Sequence, residues 1–525
     1  MSKRNNNNST QNTDSVETTE QNNQTGGGSS SSTSYALPQY LSAALRLPTS
    51  YPLGARSSDT AINDGGVAIS EPNPIPGYMV LNYIPTLGVS DGPTSAVNRA
   101  SFNQFNVIRA AISGNRPYEP ADHMIYRACV DSMRQLYYYA RRIYAIVRKY
   151  SATNLYRPSA ALTAMGLNAS DWIDNAARLY QWLLVHKQAL QPFPTVPIGN
   201  ITVRHLTYNT YMFSDGGIDS SQTYIMNQRG FWSYEVVDEV KGITTRIFPK
   251  TFDEFQDMWD EMYSALQNSS DVYIIAADIR RAFEDRCITD LPDTPVDLEV
   301  EYLEVDPVKK AVMNATILGC TDYDEDEAEN IINFRIVDDG GVIKCSPYLL
   351  DNYSSGGYGT PIGSCKMLNH INCIEANPTE GEILSSMRLK LGVKVTNESA
   401  NNTVFIQSMG TEVILNAKIV GFTSMGTILE SPFATLTVYK YGSTDRVENS
   451  GIYDGLDSAA TLCRQISNFD WHPPVLIAFA DQAAHPDIPL SSISMLLEDI
   501  QNYVPVSDYN VKTVHEACLL AEFGF

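Results

Sequence analysis

Positive charge is scarce in this 525-residue chain: 37 Lys and Arg stand against 60 Asp and Glu, for a formal net charge of −23. Phosphates reward a cationic face, so a surface that binds nucleic acid throughout is excluded and any such contact has to be local. No apolar run approaches the roughly 18 residues of a membrane span, and the first residues carry no apolar core of a signal peptide. The chain is therefore expected to stay where it is made. Eight cysteines (Cys129, Cys287, Cys320, Cys345, Cys365, Cys373, Cys463 and Cys518) show no CxxC and no zinc-type spacing, which predicts reduced, buried thiols in a cytosol.

Motifs that carry chemistry are missing too. There is no GxxxxGK[ST]; the stretch Gly359-Thr-Pro-Ile-Gly363-Ser364 lacks both the spacing and the lysine that would reach a phosphate. HExxH and GxSxG are absent, and His123, His186, His205, His370, His472, His485 and His515 form no metal-ligand pair at helical spacing. Asp322, Asp324 and Asp326 begin like a calcium loop. Glu327, however, stands where glycine must turn the chain, and Asn333 where the bidentate glutamate belongs, so a solvated acidic loop is expected. Asp338-Asp339-Gly340-Gly341 lies between apolar strands and reads as a hairpin turn. No catalytic residue, no metal site and no cofactor is expected.

What the sequence has is one long helical signal from Glu119 to Tyr150, about 30 residues and roughly 45 Å. Pro120 suits the first helical position, Asp122 meets the positive end of the dipole, and Arg148 and Lys149 meet the negative end. Tyr126, Cys129, Met133, Leu136, Ala140, Ile143 and Val147 recur at alternating steps of three and four and predict an apolar seam that packs on another helix. Arg127, Arg134, Arg141 and Arg148 are spaced seven apart and are expected as a basic stripe opposite the seam, facing water or a polyanion. The consecutive Tyr137, Tyr138 and Tyr139 are expected to fill packing interfaces.

Composition divides the rest. Residues 1–34 contain 24 Ser, Thr, Asn and Gln, and Val16 is their only aliphatic residue after Met1, so the arm is expected to be disordered. Residues 35–76 alternate Pro, Gly and short apolar runs, the pattern of an extended arm laid across a surface, such as a clamp on a neighbour. Residues 77–290 read as mainly helical, with β-rich runs between Ile198 and Phe248 and a capping box at Thr251–Glu254. Between 291 and 452 the period changes to two, as in Met387, Leu389, Leu391, Val393 and Val395, with similar runs at 298–305, 331–337, 411–422 and 433–441. Helices are expected again over 453–525, at Leu462–Phe469, Ile493–Ile500 and Val511–Leu519. Charge follows the same division: residues 99–150 hold nine Arg and Lys and three Asp and Glu, whereas 291–350 hold four and fourteen. The simplest reading is a mainly α domain with a β-rich, α+β unit of 291–452 inserted in it.

Four stretches, Pro76-Gly-Tyr-Met-Val-Leu-Asn-Tyr-Ile-Pro-Thr-Leu-Gly-Val-Ser90, Ser95-Ala-Val-Asn98, Tyr118-Glu-Pro-Ala-Asp122 and Tyr156-Arg-Pro158 with Ala164-Met-Gly166, resemble the capsid proteins of picobirnaviruses. The likeness covers about 70–195 well, the C-terminal segment loosely and 291–452 hardly at all. It implies a coat protein that pairs with itself as a homodimer and assembles further into an icosahedral shell around a segmented double-stranded RNA genome. On that implication 77–290 and 453–525 form the shell domain and 291–452 the projecting domain. The implied location is the virion, assembled in host cytoplasm, and the implied external partner is a host cell surface. Family members also lose an N-terminal segment by processing, and some hold RNA with basic arms; the arm here has only Lys3 and Arg4 against Asp14, Glu17 and Glu20. Arg127, Arg134, Arg141 and Arg148 are the expected genome-facing residues on charge and spacing alone. The competing class is an acidic surface-binding module or enzyme with an Asn-rich linker, which a soluble monomer in sedimentation would favour.

Overall fold

The structure is a computed structural model that describes residues 76–112, 117–150, 156–197, 199–215, 222–319, 332–333, 336–351, 369–398, 401–422, 428–440, 452–480, 493–498 and 502–523. The expectations for the arms 1–34 and 35–75, for the acidic loop 322–329 and for the glycine-rich stretch 359–364 lie outside these residues. The fold is mixed α+β.

The run Pro76–Pro85 is nearly all apolar and has no polar face to offer water, so it forms a strand covered on both sides. It lies in a six-stranded sheet, antiparallel to Glu412–Phe422 on one edge and parallel to Thr223–Gln228 on the other, with Ile428–Phe433, Met212–Ser214 and Tyr302–Leu303 completing the sheet. Side chains of a strand alternate between faces, and here each face has its own core. Tyr78, Val80 and Ile84 join the cluster built on the Pro120–Val147 helix. Met79, Leu81 and Tyr83 join a second cluster with Val308 and Val312 of Asp306–Val312, Leu462 and Ile466 of Gly455–Ile466, and Val475 and Ile477 of Val475–Ala480.

The long helix runs from Pro120 to Val147, with Pro120 in its first turn and the Glu119 N–H donating to Asp122 Oδ2 at 3.0 Å. Except for Pro120, Tyr138 and Arg141, all its residues are buried. It packs against helices Ala96–Ala111, Tyr156–Ala164, Ala176–His186 and Asn200–Thr210 and against strands Gly230–Val237 and Val240–Ile247. This surround is wider than the single helical partner that the seam predicts. At its N-terminus sits the expected hairpin, strands Ile336–Asp338 and Ile343–Cys345, with Gly340 and Gly341 at φ 65° and 80°. The positive φ of Gly341 is what requires glycine at this turn, beside the Glu119 carboxylate. The Thr251–Glu254 box caps the helix Phe252–Gln267 as its sequence requires.

Three expectations are corrected. The described residues of 291–452 do not stand apart from the rest of the chain. Glu412–Phe422 is the partner of Pro76–Pro85, Ile336–Asp338 pairs with Val240–Ile247, and Val413, Leu415, Val420, Ile336, Ile343 and Cys345 all pack in the cluster of the long helix. The change of period at 291 marks a change of secondary structure, and the new strands complete sheets begun upstream. A sheet that draws only on this segment does exist: Gly392–Glu398, Asn401–Ser408, Tyr348–Asp351 and Ile332–Asn333. Within 453–525, the helix expected at Ile493–Ile500 is instead the strand Ile493–Leu497, antiparallel to Val475–Ala480. An apolar run this short fits either period, and the open strand beside it decides. Likewise the alternation at 387–395 becomes strand only from Gly392, because Thr379 caps a helix Glu380–Met387 by accepting the Glu382 N–H at 3.2 Å.

Candidate assembly core and the arginines of the long helix

A helix buried over most of its length must place its polar side chains against its own chain. Asp131 is the first centre. Arg134 Nη1 donates to Asp131 Oδ1 at 2.7 Å and Thr202 Oγ1 to Asp131 Oδ2 at 2.8 Å, while Arg127 Nε lies 3.7 Å from Oδ2. Arg134 also donates to Thr195 Oγ1 and to the Ile288 carbonyl, each at 3.2 Å, and Arg127 donates to the Phe523 carbonyl at 3.2 Å. Arg142 has no acidic partner among the described residues; it donates to the carbonyls of Tyr208 at 2.6 Å and Met226 at 3.2 Å and lies 4.9 Å over the Tyr139 ring. Burial lowers the affinity of both Arg127 and Arg142 for their protons, and Asp131 partly offsets this at Arg127.

The second centre joins segments far apart in sequence. Arg204 Nε donates to Glu412 Oε1 at 2.8 Å and Arg204 Nη1 to Glu522 Oε1 at 2.6 Å. His205 Nε2 lies 2.8 Å from Glu412 Oε1, and its Nδ1 lies 3.3 Å from Gln135 Nε2 on the long helix. Burial alone would raise the Glu412 carboxyl, but Arg204, His205 and Arg388 together hold it well below the usual carboxylate range. Beside this knot an asparagine ladder crosses three strands: Asn82 Nδ2 donates to Asn416 Oδ1 at 2.5 Å, Asn227 Nδ2 to Asn82 Oδ1 at 2.6 Å, and Tyr139 OH to Asn227 Oδ1 at 2.6 Å. The three asparagines are direct cross-strand neighbours, which ties the register of the sheet to the long helix.

The seven seam residues Tyr126, Cys129, Met133, Leu136, Ala140, Ile143 and Val147 all lie in the first core. Tyr137 and Tyr139 are buried as well, and Tyr137 OH donates to the Leu183 carbonyl at 2.9 Å. Sequence reasoning missed Asp131, Gln135, Arg204, His205, Glu412 and Glu522. One signal for the first of these was present: Asp131 stands four residues after Arg127 and three before Arg134, the helical spacing of ion pairs.

Comparison with known proteins places this architecture. The picobirnavirus capsid protein family model matches residues 35–479. The chain belongs to that family. A capsid protein precursor of human picobirnavirus, strain Human/Thailand/Hy005102/-, is 27% identical over 256 residues, 47% of this chain and 46% of the relative, so the match spans about half the length of that protein. The X-ray crystallographic structure of the picobirnavirus capsid shares the fold, with a TM-score of 0.70 at 16% identity over 94% of this chain and 98% of that one.

For a capsid-family chain, the placement of the stripe matters. Arg127 and Arg134 are 3% and 1% exposed, which corrects the expectation that they lie on an open face. The reason is the second layer around the helix, which the seam alone did not announce. Arg141 is half-buried and donates to Thr294 Oγ1 at 3.1 Å and the Asp293 carbonyl at 2.8 Å; Arg148 is exposed where the helix ends, next to Lys149. Among the described residues, only the last part of the stripe is open to solvent.

Proposed function

We propose that this chain is a coat protein that pairs as a homodimer and assembles into an icosahedral shell enclosing double-stranded RNA. The observation that carries this reading is family membership over most of the chain together with a capsid fold that extends across nearly all of it. Apolar side chains left on the surface also support it. Val236, Val237 and Val240 stand 53%, 44% and 41% exposed at one hairpin tip, and Leu184, Val185 and Val296 are exposed as well. The valine group at the hairpin tip is the proposed contact with a neighbouring copy. The sheet built only from 332–408 is the proposed projecting part, and Arg148 with Arg141 and Lys149 is the proposed RNA contact. A host cell surface is the external partner, the virion is the location after assembly in cytoplasm, and N-terminal processing follows by analogy with the relative named a precursor.

Negative-stain microscopy and sedimentation of the purified full chain test this. Closed particles are expected, with less RNA recovered per particle from Arg148→Glu. Monomers alone across salt and pH contradict assembly, and unchanged RNA content in the variant removes Arg148 from the genome contact.

A further inference from the structure

A cavity of about 20 Å³ lies where the long helix, helix Asn200–Thr210 and strand Gly230–Val237 meet, with Arg127, Asp131, Gln135, His205 and Trp232 in its wall. That volume holds one water-sized guest. The acceptors in the wall are already engaged. Asp131 takes bonds from Arg134 and Thr202, Gln135 Oε1 takes one from Gln228 Nε2 at 2.8 Å, and His205 Nδ1 faces the Gln135 amide nitrogen. The donors are not: Arg127 Nη2 and Trp232 Nε1 are both buried without a partner, on side chains that are each 3% exposed. Charge tilts the same way, since the single Asp131 carboxylate is shared by two buried guanidiniums, those of Arg127 and Arg134.

A water placed here would bring two further protons into a wall where Arg127 Nη2 and Trp232 Nε1 are already donors without an acceptor. An anion brings only acceptor capacity and the missing negative charge. We propose that this cavity binds one small monovalent anion of chloride size, held by the Arg127 Nη2–H and Trp232 Nε1–H groups. A phosphate group exceeds the space, so the site is separate from any genome contact and does not depend on the assembly reading. The anion completes the neutralisation of the first half of the helix.

Diffraction at the bromine edge from crystals of the full chain grown in sodium bromide should show an anomalous peak within hydrogen-bonding distance of both nitrogens. At fixed ionic strength the unfolding midpoint should be about 3 °C higher in chloride than in gluconate, which is too large to enter. Trp232→Phe, which removes one donor and keeps most of the bulk, should halve that difference or abolish it. Density without an anomalous signal would identify a water and overturn the proposal, as would a chloride dependence equal in variant and wild type. If the variant fails to fold, the bromide experiment on the wild-type chain decides alone.

Discussion

Arg127 and Arg134, in the first half of the long helix, are enclosed by their own chain and bonded to Asp131, Thr195 and the carbonyls of Ile288 and Phe523. Arg141 and Arg148, on the same stripe at the same spacing, lie half-buried and exposed. Nothing in the helix itself separates the two pairs. The difference is the outer layer: helix Asn200–Thr210, the residues around Thr195 and Ile288 and the end of the Asp508–Glu522 helix cover the first half and do not reach Arg148. An arginine face on a helix is an outer face only where the rest of the chain leaves it uncovered. Under cover the same residues become internal ties that need an anionic or carbonyl partner.

The largest perturbation removes residues that anchor that cover. Replacing 291–452 by a short Gly/Ser linker removes the antiparallel partner of Pro76–Pro85, the Glu412 carboxylate and apolar residues of both cores. The expected product is insoluble or unfolded, with circular dichroism far from the native spectrum; a folded helical remainder would show that the first half of the helix is covered well enough without it. Next in size is Glu412→Ala, which leaves Arg204 and His205 facing an empty position inside the protein. Breaking a buried pair from one side costs about 3–5 kcal/mol, to be read from the urea midpoint. A loss below about 1 kcal/mol would mean that water reaches the knot.

Acid should act through groups that are held neutral. Burial, with the Arg127 charge beside it, lowers the pKa of His123 to about 3, and burial lowers that of His515 to about 4. A folded pKa below the unfolded value of about 6.5 means that the unfolded chain binds more protons between the two. This stability is complete above pH 6.5 and is lost as the pH falls toward 4, by on the order of 3 kcal/mol for each histidine. The depressed Glu412 carboxyl adds a loss of the same sign below its unfolded value. Unfolding midpoints measured from pH 7.5 down to 4 should fall, and His123→Gln should flatten the slope by about one proton; a flat wild-type profile would contradict the neutral assignment.

Much of this was legible in the residues. Pro120, Asp122 and the terminal cations announced the long helix, Thr251 and Glu254 announced a capped one, and Asp338 to Gly341 announced a hairpin, because each signal is local and rests on one turn of backbone. The pairing of Pro76–Pro85 with Glu412–Phe422 was not legible, since more than three hundred residues separate the partners in the sequence and either strand alone states only that both its faces are apolar. The fate of the stripe failed for the same reason. Periodicity locates the face most apolar, and it is silent on whether the opposite face is covered by a segment that folds back from elsewhere. Asp131 was the readable exception, an acid at pairing distance from two arginines inside a helix rich in aromatic and aliphatic residues.

The most direct test sets Arg134→Glu beside Arg148→Glu in the same full-length chain and compares their urea midpoints. Two charge reversals on one stripe of one helix should differ sharply. Arg134→Glu places a second carboxylate against Asp131 in the interior and is expected to cost more than about 3 kcal/mol or to prevent folding, whereas Arg148→Glu is expected to stay within about 0.5 kcal/mol of wild type. Equal effects at the two positions would contradict the division of the helix into an enclosed half and an open end.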